Sequence, residues 1–407
     1  MKKNLIPVIL ITGLIILGVF LYNQDASKTK KSADNQIKIG IILGFTGPIE
    51  SLAPVMAKSA ELAIDEVNKS GNFMDGAQLM AVRADSTCVD AAAAQAAAER
   101  LITSDKVSAI MGADCSGVTT AVLKNVAIPN GILMISPSAT SPALSTEPDN
   151  DLFFRTAPSD ARQGEVIADL LMEKGFKTAA LTHTNNDYGK GLAASIKSNY
   201  EAKGGTITIS ASHEDGKGDY SSEVAALAQA SGDILIVAGY LDQGGKGIIQ
   251  ASLDADAFNK FFLPDGMIGD SLPKAIGPDL NGSIGSVPGT DSPGAAKYSE
   301  LAKAAGFESG PYGPESYDAA ALIMLAMEAA KSTDSNVFKN NVMDIANAPG
   351  EKIYPGELSK ALKLIKEGKD IDYVGATALE LVGSGESSGS FAEILIDNQK
   401  TNKVGYR

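Results

Sequence analysis

Two kinds of hydrophobic pattern alternate along the chain after residue 36. Short, nearly continuous apolar runs, such as residues 37–45, are typical of strands buried on both faces of a parallel sheet. The next segment, 56–71, has apolar residues at helical spacing and ends in Gly71, a helix stop signal. The alternation continues to residue 138, with strands predicted at 78–85, 107–113 and 131–138 and helices at 90–104 and 117–127.

The alternation starts again beyond residues 152–160. Strands that alternate with helices form parallel sheets through right-handed crossovers. Two such series predict an α/β protein with two doubly wound lobes. In the second series we predict helices at 162–175, 189–204, 221–231 and 244–255, and strands at 178–184, 206–213, 233–240 and 260–266.

The last part of the chain is less regular. A strong helix is predicted at 315–332 and another at 356–368, followed by a strand at 371–382. Residues 383–390 have the composition of a flexible, turn-like loop, and 391–399 is predicted to be a closing strand.

The N-terminal segment has the layout of an export signal. Lys2 and Lys3 precede an uncharged stretch with an apolar core at 5–22. No A-x-A motif stands at the end of this core, and no cysteine follows it for lipid attachment. The core is close to the shortest length that spans a bilayer, so we favour a cleaved signal and keep a retained anchor as the alternative. Either way, the remaining chain is predicted to lie outside the cytoplasmic membrane, in the periplasm.

The net charge argues against some partners. The chain has a formal net charge of −14. Residues 1–36 contribute +3, because five lysines face two aspartates, which leaves −17 for the remainder. A body that acidic repels nucleic acid and anionic lipid head groups, so we expect neither as a partner.

The chain contains two cysteines, Cys88 and Cys115, and two histidines, His183 and His213. In an exported chain two thiols most simply form one disulfide, and the alternative is two unrelated buried thiols. The four side chains do not make a convincing metal site, and both histidines are predicted to be ordinary surface residues. We expect no metal and no other cofactor.

Ligands of open α/β sheets bind beyond the carboxyl ends of the strands. Those ends are rich here in glycine and in hydroxyl side chains, which either cap helices or bind a carboxylate. Asp265 is either a turn residue or an anion that faces a ligand cation, and Tyr188 and Tyr240 are core residues or pocket walls. The predicted strand ends are GFTGP (44–48), DCSGVTT (114–120), SPSAT (136–140), THTNNDYG (182–189), AGYLDQ (238–243) and LPDGM (263–267).

The motifs of nucleotide-binding proteins and of α/β hydrolases do not occur in their usual structural contexts. GFTG lacks the Lys-Ser/Thr of a phosphate loop, and G-x-G-x-x-G does not follow the first strand. No G-x-S-x-G stands between a predicted strand and a predicted helix, as a nucleophile elbow requires, and GESSG at 385–389 lies in the predicted loop. His183 lies near a strand end, so a hydrolase remains a weaker alternative.

The order of these motifs resembles the periplasmic branched-chain amino acid binding proteins, the type I substrate-binding proteins of ABC transporters. The resemblance covers nearly all of residues 37–400, and ILMISPSAT and the placement of the two cysteines are its most specific parts. It implies two lobes joined by three crossovers, near 155–159, 287–292 and 331–336. The implied lobes comprise 37–157 plus 290–332 and 158–289 plus 333–407, after an N-terminal segment 1–36.

The resemblance also implies a ligand site. Ser116 and Thr140 match the residues that bind the ligand carboxylate, and the backbone of Ser138 matches an acceptor for the ammonium group. From the second lobe, Tyr188 and Asp265 match ligand residues, although Asp265 is one methylene shorter than the family's usual glutamate. Three further positions match pocket walls: Tyr240, Leu52 and Tyr312, the last two with a looser alignment.

The sequence therefore predicts a non-catalytic, monomeric binding protein that delivers a small amino acid or amide-like solute to an ABC permease of the inner membrane. The lobes would close on the ligand about a hinge. The alternatives are a sensor tethered by residues 5–22 and a hydrolase that uses His183.

Overall fold

Two seven-stranded sheets and one two-stranded sheet organise residues 36–407, the part of the chain that the computed structural model describes. The strands are β1 Gln36–Leu43, β2 Gln78–Asp85, β3 Ala109–Gly112, β4 Met134–Ser136, β5 Phe153–Pro158, β6 Thr178–Thr184, β7 Thr206–His213, β8 Ile234–Ala238, β9 Phe261–Leu263, β10 Ile284–Pro288, β11 Glu351–Ile353, β12 Ile371–Tyr373, β13 Leu381–Val382, β14 Glu386–Ser387, β15 Phe391–Asp397 and β16 Lys400–Tyr406.

Helices connect most of these strands. They are α1 Ala53–Ser70, α2 Ala91–Thr103, α3 Ser116–Val122, α4 Ile128–Asn130, α5 Asp160–Glu173, α6 Asp187–Ala202, α7 Ser221–Ala230, α8 Gly244–Asp254, α9 Ser271–Ile276, α10 Pro293–Ala304, α11 Gly313–Ala330, α12 Ser335–Phe338, α13 Val342–Ala346 and α14 Leu358–Lys366.

Each large sheet forms the centre of one lobe. The first has the order β13-β14-β5-β4-β3-β1-β2 and is parallel except for the pair β13–β14. The second has the order β16-β15-β10-β9-β8-β6-β7, and only β15 pairs in antiparallel fashion, with β10 and β16. The predicted α/β fold with two doubly wound lobes is confirmed.

Helices α1 and α11 pack against each other over the core of the first lobe. The inner face of α1 buries residues at helical spacing, among them Met56, Ala60 and Ile64. It ends at Gly71, whose φ of 63° is left-handed and costs glycine little. Almost every residue of α11 from Gly313 to Glu328 is buried, which explains why its composition is apolar on all sides.

Three segments connect the lobes. The chain leaves the first sheet after β5, returns after β10, and leaves again between β14 and β15. The first two crossings lie where the sequence predicts them. The third prediction, near 331–336, is wrong: helices α13 and α14 pack against α11, so the chain stays in the first lobe until residue 387.

The lobe assignment of residues 333–407 is therefore wrong in part. Strands β13 and β14 belong to the first sheet, and β11 and β12 pack against α14 beside them. Strand β14 lies inside the segment 383–390, for which we predict a loop. It pairs with β5, and an ion pair between buried Arg155 and half-buried Glu386 accompanies this pairing, which a local hydrophobic pattern does not show.

The sequence pattern also misses some elements. Strand β10 and helices α9 and α10 lie in segments without a predicted element, and the predicted strand at 371–382 divides into β12 and β13. Strand β15 is not the closing strand, because it turns back into β16. The predicted export segment at 1–36 lies, except for Gln36, outside the described residues. Within 36–407, no helix is long and apolar enough to cross a membrane.

The predicted disulfide is confirmed. Cys88 and Cys115 are bonded, with their Cα atoms 5.2 Å apart and a separation of 27 positions in sequence. The bond joins the segment after β2 to the residue that precedes α3. It thereby ties together two strand ends at the same edge of the first sheet.

We expect Cys88→Ser to destabilise the folded chain by about 3–4 kcal/mol, because a loop of this length is no longer closed in the unfolded state. Thermal unfolding without reductant measures the difference. With reductant present, variant and wild type should unfold at the same temperature. Equal unfolding temperatures without reductant would contradict a stabilising role for the bond.

Candidate ligand-binding site between the lobes

The carboxyl ends of strands from both sheets face each other across a small cavity of about 20 Å³. Ile49, Asp114, Cys115 and Gly266 contribute to its walls. Seven of the eight predicted ligand residues also line it: Leu52, Ser116, Ser138, Tyr188, Tyr240, Asp265 and Tyr312.

The first lobe presents hydroxyl groups to the site. Ser116, the first residue of α3, accepts a hydrogen bond from the Ser141 backbone N–H at 3.1 Å. Ser138 donates its hydroxyl to the Asp114 carbonyl at 3.0 Å. The eighth predicted residue, Thr140, is 2% exposed, and within residues 36–407 its Oγ1 has no hydrogen-bond partner. A buried, unpaired hydroxyl is free to donate to an acceptor that enters the site.

Residues Thr119 and Thr120, further along α3, have a different role. Their hydroxyls donate back to the carbonyls of Cys115 and Ser116, each at 2.9 Å. These bonds stay within the first turns of the helix, which separates the two threonines from the site hydroxyl of Ser116.

The second lobe contributes the carboxylate of Asp265, which is 2% exposed. Tyr188 of the same lobe donates to Oδ1 at 2.8 Å, and Tyr312 of the first lobe donates to Oδ2. Burial raises the pKa of Asp265, and the two phenol hydrogen bonds act against that shift. The ring of Tyr188 stacks on Tyr240, with centroids 5.2 Å apart. One carboxylate therefore accepts hydrogen bonds from both lobes.

A second carboxyl group, that of Asp160, lies next to the site, where its backbone N–H donates to the Thr140 carbonyl at 2.8 Å, and it is missed by sequence reasoning. It begins α5, directly after the first crossing, and is fully buried. Neither of its oxygens has a partner in the described part of the chain. Burial and the nearby Asp265 carboxylate raise the pKa of Asp160 well above its usual value. The strand-end rule could have found Asp160, had β5 been identified as a strand.

Arg155 and Asp114 hold the first-lobe loops in place. The Arg155 guanidinium, 1% exposed, donates to the carbonyls of Ala139 at 3.1 Å and Ser141 at 2.9 Å, and pairs with Glu386. It thus fixes the residues on either side of Thr140. Asp114 fixes the residues just before α3 in a similar way. Its carboxylate accepts hydrogen bonds from the Gly44 N–H, from the Ser86 hydroxyl at 2.9 Å and from the Cys115 N–H at 3.0 Å. Burial raises the pKa of Asp114.

The histidines do not join this site. His213 is 1% exposed and hydrogen-bonds through Nδ1 to Thr182 at 2.8 Å, so the prediction of a surface residue is wrong for it. Burial lowers its pKa to about 4. His183 is half-buried, with its Nδ1 at 3.1 Å from the carbonyl oxygen of Thr184. Among residues 36–407, no group of histidine, cysteine and carboxylate side chains is arranged to hold a metal ion.

Two doubly wound lobes that share one buried polar cavity are the architecture of hinged solute-binding proteins. The comparison with known families agrees with this class. The model of the periplasmic binding protein family matches residues 36–347, and the chain belongs to this family. Its members are solute-binding proteins rather than enzymes.

Two individual relatives are also named as binding proteins. The Leu/Ile/Val-binding protein homolog 1 of Brucella melitensis is 31% identical over 308 residues, 74% of this chain and 81% of that protein. The chemotactic signal transduction system substrate-binding protein BasB of Halobacterium salinarum is 25% identical over 92% of this chain and 91% of its own length.

The fold is also found among solved structures. The branched-chain amino acid transporter substrate-binding protein LivJ of Streptococcus pneumoniae, solved with isoleucine, aligns with a TM-score of 0.76 at 22% identity. The alignment covers 91% of this chain and 99% of that one. This similarity confirms the type I binding-protein fold.

We expect Arg155→Met to lower the free energy of unfolding by about 3 kcal/mol, because it leaves buried carbonyls and Glu386 without their partner. Chemical denaturation measures the loss. The control is Glu386→Gln, which removes the charge but keeps the bonds from Arg155 to the two carbonyls, and should cost less. An unfolding free energy of Arg155→Met equal to that of the wild type would show that Arg155 does not support the loops.

Proposed function

We propose that this chain binds a branched-chain amino acid in the cavity between its lobes and delivers it to an ABC permease. The observation that carries the proposal is that Ser116 of the first lobe and the buried Asp265 carboxylate of the second line the same cavity, with Thr140 two residues after Ser138, which also lines it. Hydrogen-bond donors on one side and an anion on the other suit the two ends of a zwitterion.

The carboxylate of the ligand would bind to the first lobe. Thr140 Oγ1 is buried and, among the described residues, has no partner within hydrogen-bond distance. It interacts with the neighbouring Asp160 carboxyl group and would turn from that group to a ligand carboxylate. The Ser116 hydroxyl already accepts a backbone hydrogen bond, which leaves its own proton available for donation. Arg155 holds the loop that carries Thr140, so the donor is positioned before the ligand arrives.

The ammonium group would bind to Asp265. The cavity of about 20 Å³ is smaller than an amino acid, because the Tyr188 and Tyr312 hydroxyls reach the carboxylate. A ligand ammonium would replace the Tyr312 hydroxyl on Oδ2 and exchange a neutral donor for a charged one. Burial and Asp265 raise the pKa of the neighbouring Asp160, and a ligand ammonium group near both carboxyl groups would act against that shift.

The ligand side chain would lie against Leu52, Ile49 and the ring of Tyr240. These side chains are nearly fully buried and line the cavity beside Asp265. An apolar wall of this kind suits an aliphatic side chain, and the Brucella relative carries leucine, isoleucine and valine in its name.

Contacts between the lobes support closure on the ligand. The Ser51 N–H donates to Asp242 at 3.0 Å, and the Ser51 and Ser271 hydroxyls are 3.1 Å apart. Helix α6 approaches the loop after β4 so closely that a Cβ on Gly191 would lie 2.8 Å from Pro142. Such contacts exist only while the lobes are together. They therefore add to the stability that a ligand between the lobes would give the closed form.

A second candidate function is favoured by the Halobacterium relative, whose name places it in a chemotactic signalling system. Ligand binding would be the same, but the closed form would contact a receptor instead of a permease. Leucine uptake and leucine taxis in cells that lack the chain separate the two functions. Lost uptake supports delivery, and lost taxis with normal uptake supports signalling.

We expect calorimetry to detect leucine, isoleucine or valine binding among the twenty amino acids, urea and short amides. Asp265→Asn should weaken that binding by about 2–5 kcal/mol, because the ammonium loses its buried counter-charge. Asp279→Asn, an exposed substitution on the same lobe, is the control and should leave the affinity unchanged. If the folded protein binds none of these solutes, or if Asp265→Asn binds as tightly as the wild type, the assignment fails.

We expect Gly191→Val to lower ligand affinity at least about tenfold, because the added methyl groups collide with Pro142 only when the lobes are closed. Isothermal calorimetry gives the affinity, and the unfolding temperature without ligand should change little. The control is Gly117→Ala, whose Cβ would meet Asn186 at an ordinary 4.0 Å. Wild-type affinity in Gly191→Val would contradict closure along this contact.

A further inference from the structure

A second and larger cavity, about 580 Å³, lies between the lobes on the side of the crossings. The first lobe contributes the start of α1 and the residues that lead into α11, among them Val55 and Glu315. The second lobe contributes residues 268–271, the crossing at 287–290 and side chains of β15 and β16. We call this space the hinge-side cavity. Its volume lies in the range of pockets that bind small organic molecules.

Leu52 and Tyr312 form a wall that the two cavities share, since both residues line each of them. The hydroxyl of Tyr312 points to Asp265 in the first cavity. The hinge-side cavity is therefore a separate space that borders the proposed amino acid site and does not include its carboxylate.

The carboxyl group of Glu315 is the unusual feature of the hinge-side cavity. Glu315 lines it and is 2% exposed, and across residues 36–407 no hydrogen-bond donor reaches its Oε2. The hydroxyl of Thr401, on the opposite lobe, lines the same cavity and is also buried without a partner in the described chain. A carboxyl oxygen that has lost water and gained no donor is costly, and a cation at its side would remove that cost.

The other charged residues of the hinge-side cavity differ from Glu315 because they remain in contact with water. Lys403 and Glu308 are exposed, and Lys274 pairs with exposed Asp270 at 3.3 Å. Much of the remaining wall is apolar, with Val55, Ile268, Val287, Pro314 and Ile394.

We propose that the hinge-side cavity is a second ligand site, which takes a small molecule with one ammonium group on an apolar body. The ammonium group pairs with Glu315, the apolar body lies against the aliphatic wall, and the Thr401 hydroxyl serves a polar substituent. This inference goes beyond the proposed function, because it concerns a cavity that leucine does not need to enter.

An occupant of this cavity contacts both lobes and the shared wall of Tyr312 and Leu52. It therefore stabilises the arrangement in which the lobes are together, and any amino acid that needs the same arrangement binds more tightly. By reciprocity, the amino acid raises the affinity for the amine by the same factor.

Phenethylamine is the probe, measured by calorimetry in the absence of amino acids. We expect it to bind the full chain, and we expect 2-phenylethanol and phenylacetate, which lack the cation, to bind at least about tenfold more weakly. Glu315→Gln should weaken phenethylamine by a similar factor and leave leucine affinity unchanged. Glu308→Gln changes an exposed carboxyl group of the same cavity and is the matched control.

A second readout uses the wild-type chain alone. Burial, assisted by Asp318 and opposed by Lys403, raises the pKa of Glu315 to about 8, so near pH 7 its carboxyl group is mostly protonated. Pairing with an ammonium group requires the ionised form, so binding should release close to one proton. Calorimetry in two buffers of different ionisation enthalpy measures that proton.

The affinity of the wild-type chain for phenethylamine should also depend on pH. It should rise with pH up to about 8 and then level off. The other charged groups on the cavity wall, Asp270, Lys274, Glu308 and Lys403, are all exposed.

Three results would overturn the proposal. One is the absence of binding heat with phenethylamine at millimolar concentration. Another is equal affinity of Glu315→Gln and the wild type. The third is displacement of phenethylamine by leucine in the wild-type chain, where positive coupling is expected, because competition would place the amine in the amino acid site. Retained amine binding in Asp265→Asn, together with lost leucine binding, separates the two sites.

Discussion

The buried carboxylate of Asp265 is the constraint on which the arrangement of the two lobes depends. It lies on the second lobe, but it accepts a hydroxyl from each lobe, Tyr188 on its own side and Tyr312 from the other. An ionised group removed from water must be compensated, and here the compensation requires both lobes. In the function proposed above, closure of the lobes is therefore coupled to the burial and the charge of Asp265. An ammonium group that binds Asp265 fulfils the same requirement more strongly than a phenol.

Most of the fold could be predicted from local pattern. Strands β2, β6 and β7 have the predicted bounds, because long apolar or alternating runs between helices determine them. Strand β14 could not be predicted, since its two polar residues pair with β5 through Glu386 and Arg155, 231 positions apart in sequence. That ion pair and the backbone bond from the Arg155 N–H to the Gly385 carbonyl both hold the segment against the first sheet. The error in the third crossing follows from the same long-range contact.

The residues of the site divide in a similar way, into those that local sequence motifs predict and those that only the tertiary structure identifies. Strand ends and family resemblance together predict the hydroxyls of Ser116 and Thr140 and the carboxylate of Asp265, because loops after parallel strands converge at one edge. Asp160 and Glu315 were missed for a different reason. Each is an acidic residue in the first turn of a helix, a position that helices favour on dipole grounds alone. Only burial without a partner distinguishes them from ordinary capping residues, and burial depends on the tertiary structure.

Helix α11 links the two cavities physically. Tyr312, the residue before the helix, reaches Asp265, while Glu315 in the first turn faces the hinge-side cavity. Nearly all of α11 is buried, so its start cannot shift without disturbing the core of the first lobe. A displacement of the Tyr312 hydroxyl by a ligand must therefore be taken up by its side chain and by the shared wall with Leu52. Because that wall borders the hinge-side cavity, the shape of one cavity depends on what occupies the other.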